Sequence, residues 1–448
     1  MTHRVRGNQV KRKRFGGLKI LSIASVAILS LTAVGCMDDS RLDVADSNDT
    51  EEIAVDTPSF DGEPVRDTSF DPELTAANTK FAFKLFSQIQ TQQSDRNIFI
   101  SPASVAFALA MTYNGASGDT QAAMARTLEF QDMSLEEVNF AYEALKSTLE
   151  NIDPNVELAI ANALWSDLGI DFNSDFLTNT REFYQAEATE LDFSQPDAPA
   201  TINNWVAQNT KGKIDSIVDR IPPDTILFLI NAIYFQGDWS EPFDPEVTAE
   251  QPFTKLDGTQ TPHPLMSQTG DYQYLENETF QAVSLPYGNG QFSFYIFLPK
   301  AGIELTDFVG NLNDTNWETW IDEFSQQPGS IQIPKFELEY EITLNDTLKA
   351  LGMDVAFDRT RADFSAMRTP PPGLAIDRVK HKTFVEVNET GTEAAASTSV
   401  GAVTTSAPAF QEPFSMVVDR PFFCAIRENR TQTIVFMGSI VDPQLADN

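Results

Sequence analysis

The spacing of apolar side chains predicts helices in the first half of the chain. In residues 78–93, Phe81, Leu85 and Ile89 recur every four positions, which gives a helix one apolar face. Ser101 and Pro102 then fit the cap and the first turn of a second helix. Further helices are predicted at residues 120–128, 134–151, 176–184, 198–210, 304–311, 317–324 and 344–351.

Strand patterns dominate the second half. Residues 225–234 read TILFLINAIY, an apolar run that predicts a central strand covered on both faces. Other strands are predicted at residues 156–164, 282–285, 292–298, 330–340, 382–387, 415–418, 422–427 and 433–440. Because helices and strands are mixed without a repeat, we predict a single α+β domain at residues 76–445.

One segment near the C-terminus has the alternation of a strand and the composition of a loop. Residues 389–406 read ETGTEAAASTSVGAVTTS. Every second residue from Thr392 to Ala402 is small or β-branched and uncharged, whereas the other register carries Glu393 and most of the hydroxyls. One face therefore suits burial and the other suits water. By itself, the pattern also fits an ordinary edge strand or a linker rich in Ala and Ser.

The charge balance excludes several partners. The chain has 31 basic and 65 acidic residues, a formal charge of −34. Seven of the basic residues precede position 36, so the rest of the chain keeps 24 against the same 65 acids. Nucleic acids, anionic lipids and heparin-like polymers need basic surface, so we expect none of them as a partner.

Few residues are available for catalysis or metal binding. Beyond the leader only His263 and His381 remain; we expect His263 in a turn and His381 in a strand. No HExxH, GxSxG, CxxC, Walker or GxGxxG motif occurs. We therefore predict a protein that is not an enzyme and has no cofactor or metal.

The N-terminus resembles an export signal. A basic region is followed by an apolar stretch at residues 20–34 that is too short to span a membrane. Cys36 after AVG resembles the lipidated cysteine of bacterial lipoproteins, although Ala33 stands where Leu is usual. We expect residues 1–35 to be a signal peptide and the protein to be anchored by lipid on the periplasmic or cell-surface side. The alternative is a plain signal peptide, cleaved after Ala33 or Gly35, and a secreted protein.

An acidic segment follows the leader. Residues 37–75 hold 13 acids, two arginines and few large apolar residues. Such a segment cannot bury enough surface to offset chain entropy, so we predict a disordered tether at residues 36–75. Cys424 would then lack a disulfide partner and is expected to be a buried apolar residue.

Short motifs follow one another across residues 76–445. They are NIFISPAS at 97–104, NAIYFQGDW at 231–239, PF at 242–243, LPY at 285–287, FLP at 297–299, IPKF at 333–336, LGM at 351–353, HK at 381–382, EVNETGTEAAA at 386–396, DRPF at 419–422 and FMG at 436–438. Each motif is weak alone, but together and in this order they resemble the serpin family of serine protease inhibitors. The resemblance implies a serpin-like α+β fold, with helices on a large central sheet, smaller sheets and an exposed reactive loop.

The resemblance gives the alternating segment a mechanism. In serpins a serine protease cleaves the reactive loop and forms an acyl-enzyme, and the loop then inserts into the large sheet as a new strand. A small, uncharged inward register permits insertion, so we predict an inhibitor that acts as a monomer. Thr390, where a charge is usual, and Ser397, which ends the alanine run, depart from the family pattern. The implied hinge residues are Glu389, Gly391, Thr392, Glu393, Ala394, Ala395 and Ala396.

The family's spacing from the hinge glycine places the cleaved bond between Thr405 and Ser406, within one or two residues. These side chains are small, which implies an elastase-like or subtilisin-like protease. Phe410 is the less favoured alternative and would imply a chymotrypsin-like target. No Lys or Arg lies between Glu393 and Asp419, so trypsin-like targets are disfavoured.

Other motif residues match positions beneath and beside the sheet. The resemblance places Asn97, Ser101, Ser104 and His381 in the shutter, a hydrogen-bonded cluster under the sheet. Trp239 matches the breach, where the loop first enters, although plain core packing explains it equally well. Asn162 and Asn231 are expected to satisfy buried backbone groups. The alternative function is a non-inhibitory serpin that acts as a binding or chaperone-like module.

Overall fold

The computed structural model describes residues 71–150, 153–368, 373–392 and 412–445. The helices are α1 (Pro72–Gln92), α2 (Pro102–Tyr113), α3 (Gly118–Leu128), α4 (Leu135–Glu150), α5 (Ser174–Tyr184), α6 (Ala198–Asn209), α7 (Leu305–Val309), α8 (Asp314–Glu323) and α9 (Asn345–Leu348). Short turns of 3₁₀ or π type lie at Pro245–Val247, Lys349–Met353 and Asp354–Phe357. Within the described residues, no helix combines the length and the apolarity that crossing a bilayer requires.

The first helix begins six residues before the predicted start. The Asp71 carboxylate accepts hydrogen bonds from the amides of Glu73 at 2.8 Å and Leu74 at 3.3 Å, and Pro72 occupies the first turn. Residues 72–75 therefore belong to a helix rather than to the predicted acidic tether. The prediction of a tether rested on the acidic composition of this segment. The hydrogen bonds from Asp71 and the position of Pro72 instead stabilise the start of a helix there.

Among the described residues, the strands form two sheets. The strands are β1 (Ile98–Ile100), β2 (Val156–Ser166), β3 (Glu187–Glu190), β4 (Leu227–Asp238), β5 (Ala249–Thr254), β6 (Gln260–Glu276), β7 (Phe280–Tyr287), β8 (Phe292–Pro299), β9 (Ser325–Pro334), β10 (Phe336–Thr343), β11 (Arg378–Val387), β12 (Gly391–Thr392), β13 (Phe414–Val417), β14 (Phe422–Glu428) and β15 (Ile434–Ile440). A nine-stranded sheet has the order β1-β15-β14-β8-β7-β6-β9-β13, with β5 also on β6. A six-stranded sheet has the order β10-β11-β4-β2-β3, with β12 also on β4. The predicted α+β class is confirmed.

Strand β4 lies in the middle of the six-stranded sheet and is buried on both faces, as its apolar run predicted. Leu229 and Ile233 pack into the larger core, under the sheet. Phe228 and Ile230 point the other way and pack in a smaller cluster that includes Ile202 of α6. The continuous apolar run is thus explained by two cores that share one strand.

Two local predictions were wrong. Residues 330–340 were predicted as one strand, but β9 ends at Pro334 and β10 begins at Phe336. Lys335 joins these two strands, which belong to different sheets. His263 was expected in a turn, but it lies in β6, paired with Gln251 of β5. The prolines on either side of His263 suggested a turn, yet an outer strand pair tolerates them.

Candidate functional site at the open end of the six-stranded sheet

The two central strands of the six-stranded sheet pair along only part of their length. Strands β4 and β11 run parallel and pair from Phe228 with Arg378 to Tyr234 with Phe384. Beyond that point, β12 takes the place beside β4, with Gly391 opposite Asp238 and the next residue opposite Gly237. Strand β12 is antiparallel to β4, so the chain has already turned back into the sheet at its open end.

A tight turn joins β11 to β12. The Asn388 side-chain carbonyl accepts hydrogen bonds from the amide and hydroxyl of Thr390, at 3.0 and 2.8 Å, and from the amide of Gly391 at 3.2 Å. A Cβ atom on Gly391 would lie 2.1 Å from the carbonyl oxygen of Gly237. Only glycine permits this close approach of two backbones.

Trp239 holds the turn from the β4 side. Its indole N–H donates to the Asn388 carbonyl and its amide donates to the Thr390 carbonyl, both at 2.9 Å. Its ring stacks on Tyr287 at 4.5 Å between centroids and is 4% exposed. The side chain therefore both packs in the core and contacts the turn between β11 and β12.

Thr392 is the first residue of the predicted inward face, and it is completely buried. Its hydroxyl lies 2.6 Å from the hydroxyl of Tyr287. Burial raises the pKa of Tyr287 well above its ordinary value, so the phenol stays neutral and can share this hydrogen bond. Tyr287 belongs to the LPY motif, but no local signal in the sequence indicated its contact with Thr392.

Glu389 is tied down on the other side of the turn. Its carboxylate lies 2.7 Å from Lys335 Nζ and accepts from the Thr248 hydroxyl at 2.9 Å, and its carbonyl accepts from the Phe243 amide at 2.8 Å. Burial alone would raise the pKa of Glu389, but the hydrogen bonds from Lys335 and Thr248 hold that pKa below its usual value. Glu389 is therefore a charged residue that fixes the turn between β11 and β12 to its neighbours.

A hydrogen-bonded cluster joins β4, β11, β2 and α2 under the sheet. His381 accepts from the Ser101 amide through Nε2 at 3.0 Å and donates through Nδ1 to the Asn231 side-chain oxygen at 2.5 Å. The Asn231 amide group donates to the Ser104 carbonyl at 3.0 Å, to the Ser104 hydroxyl, and to Asn162 Oδ1 at 2.5 Å. The structure brings together the predicted residues Ser101, Ser104 and His381. Asn231, expected only to satisfy backbone groups, is the centre of the cluster.

Asn97, the fourth predicted member, lies apart from this cluster. Its side-chain oxygen accepts from the amides of Val441 and Asp442, and its amide group donates to the Asp442 carbonyl at 2.6 Å. It joins the start of β1 to the residues after β15. Asn97 lies one residue before β1, so its side chain reaches the residues that follow β15, the strand paired with β1.

His381 is completely buried and neutral. Burial lowers the pKa of His381 to about 3, although its bond to Asn231 acts in the opposite direction. Protonation of Nε2 would place a proton against the Ser101 N–H, which is itself a donor. The two ring nitrogens thus have one donor and one acceptor role, and both are filled.

Several predicted site residues lie outside the described residues. These are Cys36, Glu393, Ala394, Ala395, Ala396, Thr405 and Ser406. Of the predicted hinge residues, the structure therefore describes Glu389, Gly391 and Thr392. Lys335 was named only within a motif, and no local signal in the sequence indicated its contact with Glu389.

The whole described domain is similar to known proteins. Residues 76–443 match the family model for serpins, the serine protease inhibitors. The chain is 36% identical over 377 residues to an uncharacterized serpin-like protein of Thermococcus kodakarensis, covering 83% of this chain and 86% of that protein. It is 33% identical over 383 residues to human leukocyte elastase inhibitor, covering 83% and 100%. The native structure of tengpin, a thermophilic serpin, is similar with a TM-score of 0.77 and 31% identity, over 84% of this chain and 95% of tengpin. This chain belongs to the serpin family, whose members are generally protease inhibitors rather than enzymes.

Proposed function

We propose that this protein inhibits an elastase-like or subtilisin-like serine protease by inserting its cleaved loop between β4 and β11. The observation that carries the proposal is the pairing of β12 with the open end of β4. The direction and register of that pair define a path for the residues that follow Thr392.

The register extends to the far end of the sheet. Each residue after Thr392 would meet the preceding residue of β4, so Ala402 would meet Leu227, the first residue of that strand. From Thr392 to Ala402 the inward register carries no charge, so the loop could pair with β4 along the whole of that strand.

The inward face of the inserted segment must enter an apolar interior. Thr392 already faces Tyr287, and the residues in the same register are Ala394, Ala396, Thr398, Val400 and Ala402. A charge among them would be buried without a partner, which costs several kcal/mol, about 3 or more. This register supports inhibition over a role as a mere substrate.

Insertion requires β4 and β11 to separate. The parallel ladder between Phe228–Tyr234 and Arg378–Phe384 would break, and so would the bond between His381 and Asn231 that crosses it. Two antiparallel ladders would replace the one parallel ladder. The gain in backbone hydrogen bonds drives the change once the loop is cut.

The covalent step uses the chemistry of the protease. Its serine oxygen bonds to the carbonyl carbon of Thr405, the bond to Ser406 breaks, and the Ser406 amine leaves with a proton. Insertion would then carry the acylated enzyme with the Thr405 end. Small residues at this position and the similarity to human leukocyte elastase inhibitor support the proposed target class.

The test is a denaturing gel after mixing the protein with pancreatic elastase, subtilisin or trypsin. We expect a covalent complex with elastase or subtilisin and none with trypsin. Thr392→Arg should be cleaved without forming a complex, because Arg cannot occupy the site of Thr392 beside Tyr287. Thr392→Ser keeps the hydroxyl and should still form the complex. Cleavage of the native protein without a complex would favour a non-inhibitory serpin that binds or chaperones a partner.

We also propose that Cys36 carries a lipid that anchors the exported protein to a membrane, with Thr405 exposed to proteases on the same side. The basic leader, the short apolar stretch and the AVGC sequence support this. Labelled palmitate should enter the native protein and not the Cys36→Ala variant. Equal labelling of both would contradict the anchor, and no labelling of either would favour a secreted form.

A further inference from the structure

A cavity of about 430 Å³ lies beside the segment that holds the hinge. Its aromatic walls are Trp239, Phe243 and Tyr272, which are all buried. Glu241 and Asp271, both exposed, line the same cavity. The cavity therefore combines apolar ring surface with two carboxylates.

The side chains of Gln268 and Tyr272, which line the cavity, are hydrogen-bonded to the cavity walls. Gln268 donates to the carbonyls of Glu241 and Pro242, both at 3.0 Å, and accepts from the Tyr272 hydroxyl at 3.0 Å. Burial raises the pKa of Tyr272, and the negative charge of the nearby Glu241 carboxylate raises it further. These bonds fix the walls and leave no neutral donor or acceptor of Gln268 unpaired.

The two carboxylates are the groups left without a counter-charge. Among the described residues, neither Glu241 nor Asp271 forms an ion pair with Lys, Arg or His, and no basic residue lines the cavity. Aromatic faces attract cations electrostatically, and carboxylates add to that attraction. The lining is thus complementary to a positive ligand and repels an anion.

We propose that this cavity binds a small organic cation, an amine or quaternary ammonium group carried on an apolar body, and that its occupant stabilises the docked hinge. The second part follows because two walls of the cavity also hold the hinge. The Trp239 amide donates to the Thr390 carbonyl, and the Phe243 amide donates to the Glu389 carbonyl. A ligand that contacts these walls binds more tightly when they are in place, and so favours the docked state. The proposal does not depend on protease inhibition.

The binding test uses calorimetry with three probes of similar size: benzyltrimethylammonium, benzyl alcohol and benzoate. We expect saturable binding of the cation, weaker binding of the alcohol and none of the anion. Glu241→Gln and Asp271→Asn should each weaken the affinity for the cation by about fivefold. Glu246→Gln removes an exposed carboxylate outside the cavity and should leave the affinity unchanged. Benzoate that binds as tightly as the cation, or unchanged affinity in both cavity variants, would overturn the proposed site.

The coupling test measures amide hydrogen exchange with and without saturating benzyltrimethylammonium. We expect the amides of Trp239 and Phe243 to exchange about threefold or more slowly in the bound protein, because a bound ligand suppresses local opening. Amides of α3, which contributes no residue to the cavity lining, serve as the internal reference. Unchanged exchange at Trp239 and Phe243 under saturation would overturn the link to the hinge while the calorimetry still reports the site.

Discussion

His381 shows how a single buried residue can restrain the central strands. It crosses the ladder between β4 and β11 through Asn231, 150 positions away in the chain. Its neutral form satisfies both ring nitrogens, and its burial excludes the charged form. We therefore expect the stability of the closed sheet to depend on pH.

The stability of the protein should fall when the pH drops below 6.5. The folded pKa of His381 is about 3 and the unfolded pKa is 6.5, so between these values only the unfolded chain binds the proton. The contribution of neutral His381 to the free energy of unfolding is fully present above pH 6.5. It decreases by about 1.4 kcal/mol per pH unit as the pH falls toward 3. The His381→Gln variant should lack this component, and urea unfolding of both proteins from pH 7.5 to 4.5 measures it. An identical pH dependence in the variant would contradict the burial of a neutral histidine.

Glu389 and Lys335 should contribute to stability as a pair. The carboxylate and ammonium groups are 2.7 Å apart, and both side chains are largely shielded from water. A double-mutant cycle with Glu389→Gln and Lys335→Met should give a coupling free energy of about 1 kcal/mol in unfolding. Additive effects would indicate that solvent screens the pair completely.

At the scale of elements, the pairing of β12 with β4 fixes Gly391 and Thr392, where the predicted inserting segment begins. Gly391→Ala would place a methyl group against the Gly237 carbonyl and should release β12 from β4. Faster hydrogen exchange at the Trp239 amide, which donates to Thr390, measures the release. Gly373→Ala is the matched control, since a Cβ atom there meets nothing within 4 Å. Equal exchange in the two variants would show that the close approach does not restrain the hinge.

Most elements could be predicted because their signals are local. The apolar run of β4 and the Ser101-Pro102 start of α2 both have the predicted form. The break at Lys335 was missed because apolar residues alternate on both sides of it, as in one continuous strand. The two segments differ only in the sheet to which each belongs. The place of His263 in β6 was missed because the prolines on either side of it are typical of a turn, and only the pairing with β5 shows that they lie in a strand.

At the scale of the whole molecule, cleavage of the loop should raise thermal stability. Insertion would replace one ladder by two and add on the order of ten backbone hydrogen bonds, which corresponds to a rise in Tm of roughly 20 °C. Calorimetry of the protein before and after limited subtilisin treatment measures the change. Thr392→Arg, cleaved in the same way, is the control and should show a smaller rise. An unchanged Tm in the cleaved native protein would contradict insertion.

The sequence by itself determined which segments alternate and to which family the short motifs point. These properties depend on neighbours a few residues apart, so a linear pattern contains them. Only the tertiary structure decided that Asn231 is the centre of the hydrogen-bonded cluster around His381, that Gly391 lies against the Gly237 carbonyl, that Tyr287 meets Thr392 across 105 positions, and that Asn97 lies elsewhere. Such contacts depend on how β4, β7 and β11 pack and on their register, which no local periodicity encodes.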